Sequence, residues 1–391
     1  MYRANSFRGD RGSRGGNFGN RSFRRIKTID PRFFVQRAED RVQETYEPQN
    51  SFSDFDIDPR IKENITSHGY TVLTPIQDQT IPSLLEGRDV VGIAATGTGK
   101  TAAFLIPLIN KVASDKSQKV LIVAPTRELA VQIDKEFRTL ASKMGIYSTI
   151  CIGGVSIGPQ IYNLQRGSQF VIGTPGRLQD LEAQRRLDFS MFKTIVLDEV
   201  DTMLDMGFVH EISYIISRLS SPRQSLFFSA TISDKVKGVM RGFLNNPITV
   251  SIKASQASAN VDQDVIRLNG QPKIDVLHDL LTQEGFDKVL VFGRTKWGIE
   301  KLSFALSDRG FRVASIHGNK NQNQRQRALE EFKANRVQIL LATDVASRGI
   351  DIDNVTHVIN FDQPESYEDY VHRIGRTGRA NKKGIALTFI D

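Results

Sequence analysis

A single cysteine, Cys151, in 391 residues leaves no pair for an internal disulfide and no thiolate set for a zinc site. It is expected in a buried strand. His210, His278 and His357 lack metal-ligand spacing, which removes the imidazole route to zinc as well. No apolar run approaches membrane-spanning length, and the first residues lack the apolar stretch of a secretory signal. These absences point to the reducing cytoplasm. Charge of one sign is also scarce once its location is considered. Of the net +8, seven arginines against one acid within residues 1–25 contribute +6, so the remaining chain is only +2.

That arginine-rich tail alternates Gly, Asn and Ser with Phe7, Phe18 and Phe23. Its apolar content is too small to offset the entropy of folding, so residues 1–25 are expected to be disordered. Cations interleaved with aromatic rings suit contact with phosphates and bases. Residues 26–51 form a mixed N-terminal extension without a clear pattern. From residue 52, short apolar runs alternate with amphipathic stretches, the pattern of parallel sheet covered on both faces. Runs at 89–94, 120–124, 147–152, 170–173, 194–197, 225–228 and 248–252 fill a first domain over 52–252. A small, polar stretch makes 253–262 the expected linker. The alternation restarts at 265–268, 289–292, 313–316, 337–342, 357–361 and 385–390, in a second domain over 263–391. The fold class is α/β, with two tandem parallel-sheet domains.

The first apolar run leads into Ala94-Ala95-Thr96-Gly97-Thr98-Gly99-Lys100-Thr101, and an amphipathic stretch follows. Strand, small-residue turn and helix are the setting of a phosphate-binding loop. The backbone of Ala95, Thr96, Gly97, Thr98 and Gly99 is expected to wrap an anion, with Lys100 reaching the outer phosphates and Thr101 holding Mg²⁺. The run at 194–197 ends in Asp198-Glu199-Val200-Asp201. Parallel sheets bind ligands at the carboxyl ends of their strands, so these acids should face the loop. Asp198 is expected to hold Mg²⁺, directly or through water, and Glu199 to position and deprotonate the attacking water. The second domain has no such loop, but Arg376 and Arg379 lie among glycines. They are expected to cross the cleft to the outer phosphate, an effect worth roughly 10³–10⁵ in rate.

With these motifs in this order, residues 52–391 resemble the DEAD-box ATP-dependent RNA helicases. The resemblance implies two RecA-like domains. It also implies that Phe52 stacks on adenine, while Gln77, within Thr74-Pro75-Ile76-Gln77, reads the edge of the base. Pro125, Thr126, Arg127, Gly154, Thr174, Pro175 and Arg177 become RNA-backbone contacts of the first domain. Arg294, Gln322, Arg325 and Thr343 join them from the second. Gly349 and Asp351 fall near the nucleotide, Asp351 by the ribose, and Ser229, Thr231 and His372 couple hydrolysis to strand separation. Two departures stand out. Val200 replaces the Ala of the family's name, an apolar exchange that leaves the acids in place. Asn319 and Lys320 replace the usual acid and methionine after His317-Gly318.

The implied activity is ATP-dependent separation of short RNA duplexes, or remodelling of RNA–protein complexes. A monomer would perform it with ATP and Mg²⁺ and little sequence preference. Two other readings share parts of the pattern: an ATP-gated RNA clamp with slow hydrolysis, and a DNA-directed translocase. The Phe52/Gln77 pair disfavours the second.

Overall fold

The computed structural model describes residues 29–38, 46–252, 260–347, 352, 354–378 and 383–390. The arginine-rich tail, Gly349, Asp351 and Arg379 lie outside the described residues.

Lobe 1 holds seven strands: β1 (Val90–Ile93), β2 (Val120–Val123), β3 (Ser148–Cys151), β4 (Phe170–Gly173), β5 (Thr194–Leu197), β6 (Gln224–Ser229) and β7 (Ile248–Ser251). They pair in parallel in the order β3-β4-β2-β5-β6-β1-β7. Lobe 2 holds β8 (Val261–Arg267), β9 (Val289–Phe292), β10 (Val313–Ile316), β11 (Ile339–Ala342), β12 (His357–Asn360) and β13 (Gly384–Ile390). Their order is β10-β11-β9-β12-β13-β8, again parallel.

Continuous apolar strands are explained by a core on each face. Successive side chains alternate faces, so Val120 and Ile122 of β2 enter one core while Leu121 and Val123 enter the other. Lobe 2 repeats the device in β9, where Leu290 and Phe292 face one core and Val289 and Val291 the other. Cys151 closes β3, fully buried, and burial pushes its thiol up to about 12. No helix among the described residues is long and apolar enough to cross a membrane.

Two boundaries differ from expectation. Strand β8 begins at Val261, which pairs with Gly384, so the end of the expected linker belongs to lobe 2. Asp262, Gln263 and Asp264 hide the start of this edge strand: the two acids stand on its less buried face, and Gln263 is buried on the other, satisfied by Tyr370 and Gln36. The N-terminal extension is not featureless either. Residues 31–34 form a 3₁₀ turn whose Phe34 is buried in lobe 2, while Tyr46, Gln49 and Asn50 bind Asp78 of lobe 1.

Candidate active site

Strand order divides the working edge of lobe 1 in two. The phosphate loop leaves β1, Ser229 ends β6 and Asp198 follows β5, and these three strands are neighbours. At about 4.8 Å between strands, the loop and the acids start about 10 Å apart, a span suited to a triphosphate. Strands β2, β4 and β3, on the other half, carry Pro125 to Arg127, Thr174 to Arg177, and Gly154.

In the loop, Gly97 and Gly99 take left-handed backbone conformations, with φ of 79° and 92°. A Cβ on Gly99 would meet Gln77 Nε2 at 2.6 Å, so only glycine fits there. Lys100 opens the helix Lys100–Ser114, and its buried ammonium donates to the Ala94 carbonyl at 2.7 Å. Thr98 Oγ1 donates to the Ala95 carbonyl. These internal bonds hold the loop open for an anion. Gln77 accepts from the Thr74 backbone N–H at 3.0 Å and donates to the Gly99 carbonyl at 3.2 Å, which ties the segment Thr74–Gln77 to the loop. Phe52 is almost enclosed and meets Tyr70 edge-on, with ring centroids 6.3 Å apart.

Asp198 and Glu199 are buried side by side. Burial pushes both carboxyls above the usual range; their mutual repulsion adds to it for Glu199, and the Lys100 ammonium pulls both back. Glu199 also has φ of 51°, an uncommon conformation for a side-chain-bearing residue. Asp201 faces elsewhere. Its Oδ2 accepts from the Ala230 and Thr231 N–H groups at 3.0 and 2.9 Å, and from the Thr231 hydroxyl. Ser229 Oγ donates to the Thr231 carbonyl. The third acid is therefore a link between the ends of β5 and β6.

Lobe 2 reaches this site through the turn after the helix Tyr367–Ile374. Arg376 is buried and stands close enough to Glu199 to lower its pKa across the lobe boundary. Its Nε donates to the His372 carbonyl at 3.3 Å, which is the part His372 contributes in this arrangement. Arg373, three residues earlier, is saturated within lobe 2. It forks onto Asp344, donates to Asn360 Oδ1 and the Asp362 carbonyl, and lies over the Phe292 ring.

On the other half, Thr126 caps the helix Arg127–Leu140, its hydroxyl accepting from the Leu129 N–H. The Arg127 guanidinium covers Gly153 and Gly154, and a Cβ on Gly154 would collide with it. Thr174 and Pro175 open the helix Pro175–Ala183, and no side chain caps its N-terminus. Arg177 pairs with Asp180 at 3.4 Å, yet its Nη1 is buried without a hydrogen-bond partner. From lobe 2, Gln322 Nε2 donates to Glu128 Oε1 at 3.2 Å, and Arg325 Nε lies 2.8 Å from the same oxygen. Burial, then the nearby Arg325, holds the Arg127 pKa below its usual value. Arg127, Arg177 and Arg325 against Glu128 and Asp180 leave positive charge to be met by phosphate. Thr343 lies at the end of β11, its N–H donating to the Ile316 carbonyl, while Arg294 is exposed at the end of β9, anchored through its N–H to Asp362.

Several working residues escaped the sequence reading. Glu300 accepts from His317 Nε2 at 2.8 Å and from Lys320 Nζ at 2.9 Å. Burial opposes its ionisation, but these donors outweigh it and bring its pKa to about 2. The Asn319 N–H donates to His317 Nδ1, so the His317 proton sits on Nε2. Lys320, which departs from the family pattern, thus gains a partner. Asn360 was invisible for the same reason as Glu300, and Asp344 and Glu128 stand inside recognised motifs with their pairings hidden: each acts through a residue distant in the chain.

A phosphate loop and paired acids on one parallel-sheet lobe, met by an arginine of a second lobe, define a two-lobed nucleoside triphosphatase with an adjoining anion-binding face. Residues 74–239 match the DEAD/DEAH box helicase family model, and residues 272–381 match that of the helicase conserved C-terminal domain. The ATP-dependent RNA helicase CshA of Listeria monocytogenes is 44% identical over 343 residues, which is 87% of this chain and 66% of that protein. The DEAD-box ATP-dependent RNA helicase CshA of Bacillus subtilis is 42% identical over 342 residues, covering 87% and 69%. The chain thus spans about two thirds of these relatives' length. Saccharomyces cerevisiae Dbp5 bound to RNA and ADP BeF3 superposes with a TM-score of 0.77 at 30% identity, covering 87% of this chain and 89% of that one. The protein belongs to the DEAD-box ATP-dependent RNA helicases.

Proposed function

We infer that the protein is an RNA-stimulated ATPase that separates short RNA duplexes, or remodels RNA–protein complexes, by closing its two lobes around ATP and single-stranded RNA. The observation that carries this reading is that the lobes meet: Glu128 of lobe 1 receives Gln322 and Arg325 of lobe 2, and buried Arg376 of lobe 2 lies near Glu199 beside the Lys100 loop.

The loop of Ala95 to Gly99 wraps the phosphates, and Lys100 gives up its internal bond to Ala94 to meet their charge. Thr101 and Asp198 supply hard oxygen donors, which suit Mg²⁺. Among the described residues no cluster of three or more His, Cys, Asp or Glu stands ready to hold a metal alone, so phosphate oxygens would complete the shell. When bound, the ion neutralises phosphate charge. Glu199, whose pKa burial has raised, positions and deprotonates the attacking water. Arg376 stabilises the charge that develops at the outer phosphate, worth about 4–7 kcal/mol of barrier. Asp201 passes the change to Ala230 and Thr231.

Arg127, Arg177 and Arg325 meet the RNA backbone, which predicts little sequence preference. Each base-pair step is worth on the order of 1–2 kcal/mol, a DNA value. One closure can therefore disrupt a few steps and no long duplex. ATPase activity measured with RNA, with DNA and with neither tests the reading: RNA alone should stimulate. Stimulation by DNA alone would instead make the protein a DNA-directed translocase. Strand displacement on a short duplex separates unwinding from clamping.

A further inference from the structure

The lobes are joined by the chain from Ile252 to Asn260, and the N-terminal extension makes a second span. At its lobe 2 end, Phe34 is completely buried and packs on Tyr370 with ring centroids 4.8 Å apart. Gln36 bridges Gln263 of edge strand β8 through backbone bonds of 3.0 and 2.7 Å. The Ala38 N–H donates to Asp262 Oδ1. The Gln263 side chain binds the Gln36 side chain with one end and accepts from the Tyr370 hydroxyl with the other. Tyr370 belongs to the helix that leads directly into Arg376.

At the lobe 1 end, the buried carboxylate of Asp78 gathers the Tyr46 hydroxyl, the Gln49 and Asn50 N–H groups and the Asn50 side-chain amide. Asp78 follows Gln77 directly. The extension therefore grips the helix preceding the arginine on one lobe and the adenine-reading segment on the other. Eight peptide steps separate Ala38 from Tyr46, and a fully extended chain of that length spans at most about 26–29 Å.

We propose that the docked segments 29–38 and 46–50, covalently joined, limit how far the lobes separate as a strap does, and that Phe34 is a positioning residue which keeps Arg376 within reach of the Lys100 loop. The proposal rests on the ATPase reading above. While both ends are docked, no opening can carry Ala38 beyond the reach of eight steps from Tyr46. The strap thus raises the effective concentration of one half-site at the other before RNA binds. Its contribution vanishes at saturation, when ligands hold the lobes together.

Two variants of the full chain test this. Inserting twenty Gly/Ser residues after Ala38 lengthens the strap from eight to twenty-eight steps and leaves both docking sites intact. Because the chain from Ile252 to Asn260 still joins the lobes, the −3/2 power of strap length sets a ceiling of about sixfold, and the KM for RNA in the ATPase assay should rise at least about twofold within it. The kcat at saturating RNA should stay within about twofold of the parent, since effective concentration governs association alone. Phe34→Ser should show the same split, with Phe34→Leu restoring the parent KM. A fluorophore pair at Lys143→Cys and Glu284→Cys, both exposed positions, should report a wider spread of lobe separations in the unliganded lengthened chain. An unchanged KM together with an unchanged distance distribution in the lengthened chain overturns the strap. So does a loss of kcat at constant KM in Phe34→Ser without rescue by Leu, which marks a merely structural side chain. If the parent chain shows no RNA-stimulated hydrolysis, it is the ATPase reading that fails, and the distance measurement still decides the strap.

Discussion

Arg373 and Arg376 look alike in the chain, three residues apart on either side of Gly375. Their surroundings separate them. Arg373 is enclosed by Asp344, Asn360 and the Asp362 carbonyl, so Arg373→Ala takes a buried donor from the half-buried Asp344 carboxylate and from the Asn360 and Asp362 oxygens. The expected cost is about 1–3 kcal/mol of stability, read as a lowered urea midpoint. Arg376→Ala should leave that midpoint in place and cut RNA-stimulated ATPase at least about 10³-fold. Equal effects of the two substitutions on stability would contradict the division. Glu199→Gln removes a carboxyl that burial already disfavours ionising, so the fold should not weaken. ATP binding should persist while hydrolysis stops. Hydrolysis at the normal rate would reassign the base.

Among the elements, β12 offers a test of packing through pH. His357 lies in that strand, stacked on Phe286 with ring centroids 3.8 Å apart, and burial brings its pKa to about 4 from 6.5. The unfolded chain takes up a proton below the higher value, and the folded chain resists until the lower one. Stability should therefore fall as pH drops from 6.5 toward 4 and level off below. The loss is about 2 kcal/mol, allowing for solvent screening of the ring. Urea denaturation at several pH values checks it, and His357→Asn should remove this part of the slope. The strands themselves were legible because both faces are apolar, which writes each one as an unbroken run. Strand β8 was not, because Asp262, Gln263 and Asp264 put polar side chains on both faces of its first half and break the run. Asp201 shows the same limit at the site: its acid is plain in the chain, but its bonds to Ala230 and Thr231 depend on β5 and β6 being neighbours.

For the whole molecule, charge is divided between a folded body near neutrality and an arginine-rich tail. Removing residues 1–25 should flatten the salt dependence of RNA binding, each lost phosphate contact lowering the slope by about 0.7. An unchanged slope would make the tail a solubiliser. Within the body, Glu128 receives both Gln322 and Arg325 from the opposite lobe.

The sequence by itself determined the chemistry of each half-site. Loop, acids and arginines are local patterns, since a phosphate cradle or a strand-end carboxylate needs only its near neighbours in the chain. Only the tertiary structure decided that Arg376 lies near Glu199 while Arg373 does not, that Glu300 and Asp344 steady residues of lobe 2, and that the N-terminal extension grips both lobes. Those outcomes rest on contacts between residues dozens to hundreds of positions apart, where pairing is set by strand order and burial and leaves no periodic trace.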